Sequence, residues 1–355
     1  MYMKRPNVLG LAGVLLAAAL AGCGQKNDIK EIICDTDHAV AVDLTTSGIF
    51  TQVVLEEGPL VVKNHIEVPG DGSLYLYDNV RPYRYSLEDG RLEMAYGQRG
   101  RAKNEYVKIW NYWLDGADLW LFDIDGGKAL CYAPDGTVKD VKENPGGAEG
   151  FQQLCRLDPE HWVGKANYHG TPGQTPELVL FDNDLQPIQP IGEEKLRSGM
   201  VTGYHFCTDA EGVLYSGPLS DKIWRVGETD RRVQYKVTFT DGSMKPENYP
   251  DEYQQLSDIA AKLETQNFSF NINSLTASGS WLGFSYTSSR KGSMYALYDT
   301  KKGETCCFNI VLPEEWQLVS GNLSGDRIYL VGFSDEDGVK VWSAKMEDFI
   351  AQKGI

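Results

Sequence analysis

A recurrence constrains this chain more than any single motif. Six short apolar segments punctuate it: Ser73-Leu-Tyr-Leu-Tyr-Asp78, Asp118-Leu-Trp-Leu-Phe-Asp123, His161-Trp-Val-Gly-Lys165, Gly212-Val-Leu-Tyr-Ser216, Ser280-Trp-Leu-Gly-Phe-Ser285 and Arg327-Ile-Tyr-Leu-Val331. Measured between Leu74, Leu119, Trp162, Val213, Trp281 and Ile328, they are 45, 43, 51, 68 and 47 residues apart. Turn signals precede them at Asp71-Gly72, Asp115-Gly116, Glu211-Gly212 and Gly325-Asp326. Four are followed by a second apolar strand (84–87, 129–132, 178–181 and 294–298) and several then by a hairpin turn such as Asp89-Gly90, Asp135-Gly136 or Lys302-Gly303. Short strands at even intervals with Gly/Asp turns restrict the fold to an all-β sandwich or propeller. A period of 40–50 residues favours the propeller, because four strands and their turns fill one blade. Six anchors predict a six-bladed β-propeller; a pair of sandwiches and a seven-bladed ring are the alternatives.

The chain ends fit ring closure. Strands are expected at Ile49–Leu55 and Leu60–Ile66, before the first anchor, whereas the last anchor is followed by only one more clear strand, at Val339–Ala344. The two ends would then share one blade and remove the exposed edges of an open sheet. The 68-residue interval is about 20 residues too long. Within it, residues 251–264 place Tyr253, Leu256, Ile259, Ala260 and Leu263 on one helical face after Pro250, which predicts a short helical insertion, either a lid or partner surface or a blade-edge ornament. A second short helix is expected at Met346–Gln352.

The N-terminus has its own logic. Lys4 and Arg5 precede an apolar Ala/Leu-rich run from Val8 to Leu20, too short to span a bilayer comfortably, and small residues then lead to Cys23. Leu20-Ala21-Gly22-Cys23 resembles the bacterial lipobox. The resemblance implies a signal peptide over residues 1–22, lipid on Cys23, a lipidated tether over 23–44 and the propeller over 45–355. Several acyl chains, at about 0.8 kcal/mol per buried CH2, anchor stably where one does not. The implied location is the cell envelope, as an outer-membrane lipoprotein facing the periplasm or the cell surface. Without Lys4 and Arg5 the chain holds 32 basic and 50 acidic residues, a net charge of −18, which argues against nucleic acid as a partner. The six remaining cysteines are dispersed, mostly inside apolar strands, and show no CxxC or zinc spacing; buried free thiols are expected, with room for one disulfide.

A more specific resemblance lies in Tyr96-Gly97-Gln98-Arg99-Gly100-Arg101-Ala102-Lys103-Asn104-Glu105-Tyr106. This segment resembles the Gly-x-x-Gly-x-Gly-Pro-Gly-Glu-Tyr/Phe signature of TolB-like six-bladed propeller lipoproteins of the Bacteroidetes. Gly97, Gly100, Glu105 and Tyr106 match, and residues 101–104 depart from the Gly/Pro core. The resemblance implies a fold and an envelope location; it says little of activity, since propellers host many functions.

Catalytic motifs are absent from the sequence. It has no Gly-x-Ser-x-Gly elbow, no HxH or HExxH, and no complete calcium loop; Asp123-Ile-Asp125-Gly126-Gly127 reads as a β-turn. No catalytic residue, metal or cofactor is assigned. Binding candidates are basic, aromatic and imidazole residues near predicted strand ends and loops: Arg99, Arg101, Glu105, Trp110, Trp113, Tyr168, His169 and His205. Trp and Tyr platforms bind sugars and peptides, though they also fill space between blades. The expected function is a lipid-anchored binding or scaffolding module for a protein, peptide or glycan. The alternative is a hydrolase or lyase with Arg99, Glu105, His169 and His205 around the channel mouth.

Overall fold

The computed structural model describes residues 29–56, 66–69, 71–78, 80–146, 150–166, 175–195, 205–217, 220–243 and 267–354. The signal peptide, Cys23, the helix expected at 251–264, Tyr168 and His169 lie outside them. Three strands come first: β1 (Lys30–Cys34), β2 (Val40–Asp43) and β3 (Thr51–Val54). Blade 1 follows as β4 (Ile66–Glu67), β5 (Ser73–Tyr77), β6 (Pro82–Ser86) and β7 (Leu92–Ala95). Blade 2 is β8 (Ile109–Asp115), β9 (Asp118–Asp123), β10 (Lys128–Tyr132) and β11 (Val138–Glu143). Blade 3 is β12 (Phe151–Arg156), β13 (Trp162–Ala166), β14 (Pro176–Phe181) and β15 (Pro187–Lys195). Blade 4 is β16 (Phe206–Asp209), β17 (Gly212–Ser216), β18 (Lys222–Val226) and β19 (Arg231–Phe239). Blade 5 is β20 (Ser269–Ser278), β21 (Trp281–Ser288), β22 (Gly292–Asp299) and β23 (Glu304–Val311). Blade 6 is β24 (Gln317–Ser324), β25 (Arg327–Ser334) and β26 (Gly338–Lys345), completed from the N-terminus by β3. The terminal helix α1 (Met346–Ala351) ends the fold near its expected place.

Every sequence anchor is the second strand of a blade. These strands read as continuous apolar runs because alternate residues serve two different blade junctions. In β5, Leu74 and Leu76 face blade 6 while Tyr75 and Tyr77 face blade 2. In β9, Leu119 and Leu121 face blade 1 while Trp120 and Phe122 face blade 3. The core is accordingly six apolar clusters, one per junction. Gly164 marks how tightly neighbouring side chains fill blade 3 around it: a Cβ there would lie 2.6 Å from Phe181 of β14 and 2.8 Å from Leu154 of β12.

The ring closes as expected, with β3 antiparallel to β26 as the outer strand of the last blade. That blade draws three strands from the C-terminal end, because the Ser/Gly/Asn-rich β24 did not read as a strand. A second difference is larger. Residues 30–43, assigned from sequence to the tether, belong to the propeller. β1 lies parallel to β19 as a fifth strand of blade 4, and β2 parallel to β23 as a fifth strand of blade 5. The N-terminal segment is therefore a belt over three successive blade edges, placing Ile32 and Cys34, then Val42 and Leu44, then Val53 and Leu55 into three successive junctions. Unbelted blades guard their edges differently: the outer strands β11 and β15 carry Lys, Asp and Glu, and β15 also Pro187 and Pro190.

Two faces follow from this topology. The crossover face holds the passages from outer to next inner strand; the hairpin face holds the turns between first and second strands.

Candidate functional site

The six inner strands enclose a channel. Toward the hairpin face it widens into a recess of about 400 Å³ at the C-terminal ends of these strands. Its wall is built mainly by blades 5 and 6, through Asn273, Ser274, Thr276 and Ser278 of β20 and Ser320, Asn322 and Ser324 of β24. Local irregularity explains why these short polar residues meet there. The pairing of β20 with β21 shifts register between Phe270 and Asn273 and again between Asn273 and Thr276, and that of β24 with β25 between Leu318 and Ser320. Such bulges re-aim side chains. Asn271 (φ 65°) and Ser274 (φ 48°) hold left-handed backbone, which costs a non-glycine residue on the order of 1 kcal/mol and concentrates at ligand sites. The two blades are stitched together across the wall: the Leu323 N–H donates to Thr276 Oγ1 at 3.2 Å, and Ser278 Oγ donates to the Gly325 carbonyl at 2.9 Å.

Chemically the recess is polar and almost uncharged. Glu67 is the one ionisable carboxylate among its described lining residues. Cys155 and Cys207 also line it; burial pushes the Cys155 thiol up to about 12 and the Cys207 thiol well above its ordinary value, so both stay protonated and weakly nucleophilic. Hydroxyls, amides and backbone groups suit a neutral, hydrogen-bonding ligand.

The residues singled out from sequence fall in three places. Arg99, Arg101 and Glu105 lie in the crossover from blade 1 to blade 2, where the signature segment folds on itself. The Gly100 N–H donates to the Tyr106 carbonyl at 2.8 Å and the Tyr106 N–H to the Gln98 carbonyl at 3.0 Å. Glu105 Oε2 accepts the Ala102 N–H at 2.9 Å and occupies the space a side chain at Gly100 would need. Gly97 (φ 67°) lies against Tyr106 and the Tyr132 hydroxyl. The matched signature residues thus shape a loop. Arg99 and Arg101 are exposed on it, and Trp110, 45% exposed, follows at the crossover end of β8. Trp113 is a correction to the binding set: 1% exposed, it stacks on Trp120 at 5.9 Å and meets Phe151 and Trp162 edge-on. The bulky core of the blade 2–3 junction claims it.

His205 is also fully buried, just before β16 at the blade 3–4 junction. Its N–H donates to Gln153 Oε1 at 3.3 Å and its ring meets Tyr215 at 6.3 Å. Burial, reinforced by Lys165, holds its pKa well below the ordinary value, so it is neutral. Blades 2 and 3 intervene between the Arg99–Glu105 loop and His205, so of the enzyme alternative's described residues, Arg99 and Glu105 are not brought together with His205.

Sequence reasoning passed over the groups beside His205. Lys165, Glu177, Tyr215 and Arg231 form a buried chain across the same junction. A signal was present: Lys165 is a charge at the fifth position of an anchor where the others carry Tyr77, Phe122, Ser216, Phe284 and Val331. Among the described residues, Asp158, His161 and Glu228 on the hairpin face have ligand atoms within 4.8 Å of one another, a spacing open to a divalent cation. His161 Nδ1 already pairs with Asp158 at 3.0 Å, and Asp158 also caps its own turn by accepting the Glu160 and His161 N–H groups. Asp123, read as a turn residue, is one: its carboxylate accepts N–H groups of Val107, Lys108 and Gly126.

Six four-stranded units closed by the N-terminus define the molecule as a six-bladed β-propeller. The sequence belongs to the DUF5128 family, described as a 6-bladed beta-propeller, which it matches over residues 70–315. A Bacteroides fragilis protein described as exported shares the fold at 16% identity and a TM-score of 0.64, over 89% of this chain and 99% of that one. A member of the DUF4221 family from Bacteroides vulgatus is similar at 9% identity and TM-score 0.52, over 83% and 95%. A Bacteroides thetaiotaomicron protein of unknown function follows at 11% and 0.51, over 86% and 75%. No curated protein matches the sequence.

Proposed function

We propose that this chain is a lipid-anchored binding propeller of the cell envelope, held to a membrane through Cys23, whose hairpin-face recess takes a neutral stretch of a glycan or peptide. One observation carries the reading: two bulged inner strands line a recess of about 400 Å³ with hydroxyls and amides. Its two thiols are held protonated. A pocket with few charges and convergent polar groups recognises by hydrogen bonding and shape. The lipobox-like Leu20-Ala21-Gly22-Cys23 supports the anchor, and the exported Bacteroides fragilis relative supports a location outside the cytoplasm.

Two experiments test the reading. Cys23→Ala should move the protein from the membrane to the soluble fraction and abolish acyl mass on the N-terminal peptide; retention of both would sink the anchor. On glycan and peptide arrays, combined Asn322→Ala and Ser324→Ala should weaken binding about thirtyfold with little change in melting temperature, since each of the two lost ligand hydrogen bonds is worth about 1 kcal/mol. Unchanged binding in that variant removes the recess from the function.

A further inference from the structure

The blade 3–4 junction holds a line of polar groups that starts near the crossover face, opposite the hairpin-face recess. It runs from His205 before β16, through Lys165 of β13, Glu177 of β14 and Tyr215 of β17, to Arg231, which enters from the outer strand β19 just after its hairpin-face turn. Glu177 is fully engaged: Oε1 accepts the Tyr215 hydroxyl at 2.9 Å and Oε2 accepts Arg231 Nη2 at 2.6 Å. The absence of a side chain at Gly217 makes room for this carboxylate, since a Cβ there would lie 2.4 Å from Glu177 Oε1. Arg231 is held in turn, its guanidinium 4.3 Å over the Trp224 ring and its Nε 3.3 Å from Glu194.

Lys165 differs from them in having no partner at all, whereas Arg231 leaves only Nε and Nη1 without a hydrogen bond. Lys165 is 1% exposed, and its Nζ has no hydrogen-bond partner among the described residues. The nearest carboxylate, Glu177, has both oxygens committed elsewhere, and His205 is neutral beside it. An ammonium with three N–H groups and no acceptor is costly to bury, and such groups persist where a ligand supplies the missing partner. We propose that this junction is an anion-binding site in which Lys165 Nζ receives the carboxylate or phosphate oxygen of a small ligand. Lysine presents a point charge without the planar fork of arginine, so it accepts either oxyanion. The site is separate from the recess at the other face and stands independently of it.

The test is calorimetric titration of the full chain at constant ionic strength with acetate, inorganic phosphate and, as neutral control, acetamide. Acetate or phosphate should bind and raise the melting temperature while acetamide does neither; which anion binds identifies the source of the oxyanion. Lys165→Met, close in volume, should weaken that binding at least tenfold. In the wild type, acetate affinity should be level between about pH 6 and pH 8, where acetate is fully ionised, and fall about tenfold per pH unit above pH 8, as Lys165 loses its proton. Lys165→Gln and the wild-type pH profile carry the test if Lys165→Met does not fold. Neither anion binding, an equal response to acetamide, or binding that survives Lys165→Met overturns the assignment.

Discussion

Lys165 also makes a stability prediction whose size comes from the structure. Burial, partly offset by Glu177, lowers its pKa from 10.5 to about 8. One pKa unit corresponds to about 1.4 kcal/mol, so the buried ammonium costs the fold about 3 kcal/mol. The direction with pH follows from proton counts. Between pH 8 and 10.5 the unfolded chain binds more protons at this lysine than the folded one, so its contribution to stability improves as pH rises through that window. Below pH 8 both states are protonated and the whole cost is present. Lys165→Met removes the charge and keeps the apolar length of the side chain. At pH 7, without added anion, the variant should be more stable by about 3 kcal/mol, a rise in melting temperature on the order of 5 °C for a domain this large. By pH 10 most of the gap should close. Thermal and urea unfolding at pH 7 and pH 10 provide the comparison. A variant less stable than wild type at pH 7, or a gap that does not shrink with pH, would refute the reasoning.

Three further outcomes follow from the geometry. Trp113→Ala should cost about 3–5 kcal/mol in urea unfolding, because it empties the blade 2–3 junction, whereas Trp110→Ala should change stability by less than about 0.5 kcal/mol. Deleting residues 24–44 should lower the melting temperature sharply, since it strips Ile32, Cys34, Val42 and Leu44 from two junctions at roughly 1.5–3 kcal/mol each; a true tether would leave the melt unchanged. Gly100→Ala and Glu105→Ala should destabilise by similar amounts, about 1 kcal/mol each, because the added Cβ only swings away the end of the flexible Glu105 side chain and so loses the same cap that Glu105→Ala removes; a much larger loss in Gly100→Ala would refute this.

The fold was legible because the second strand of each blade is apolar on both sides and recurs with the blade. The third strands β10, β14 and β22 are as continuously buried and reinforce the period. β24, with Ser320, Gly321, Asn322 and Ser324, lines the channel, and so lacks the apolar pattern that marks a strand. β1 and β2 are four or five residues long and bury only alternate side chains, which a tether composition conceals. For the site, residue type misled. Trp110 and Trp113 are three positions apart in one strand, so alternation sends them to opposite faces, and residue type alone does not say which of those faces is the blade 2–3 core. The recess was hidden for a similar reason: its Asn, Ser and Thr residues are ordinary in sequence and become a wall only where two bulges bring them together.

If Cys23 carries lipid, the belt also bears on which face the disc would turn toward a membrane. β1 runs parallel to β19, so Lys30 stands at the hairpin-face end of blade 4, beside Asp209, Glu211 and Trp281. With lipid on Cys23, seven residues of chain reach at most about 25 Å, against about 75 Å for a free tether over residues 23–44. The hairpin face would then be turned toward the bilayer and the crossover face away from it. A ligand of the recess must enter a gap of that height, which an extended glycan or peptide segment does more readily than a folded domain. In that arrangement the net negative charge would oppose settling of the disc onto anionic headgroups and so keep such a gap open. Lys165, buried toward the crossover side, would then lie away from the bilayer. The two proposed sites would thus differ in chemistry as their positions differ: a polar, sparsely charged wall on the membrane side and a buried cation on the side away from it.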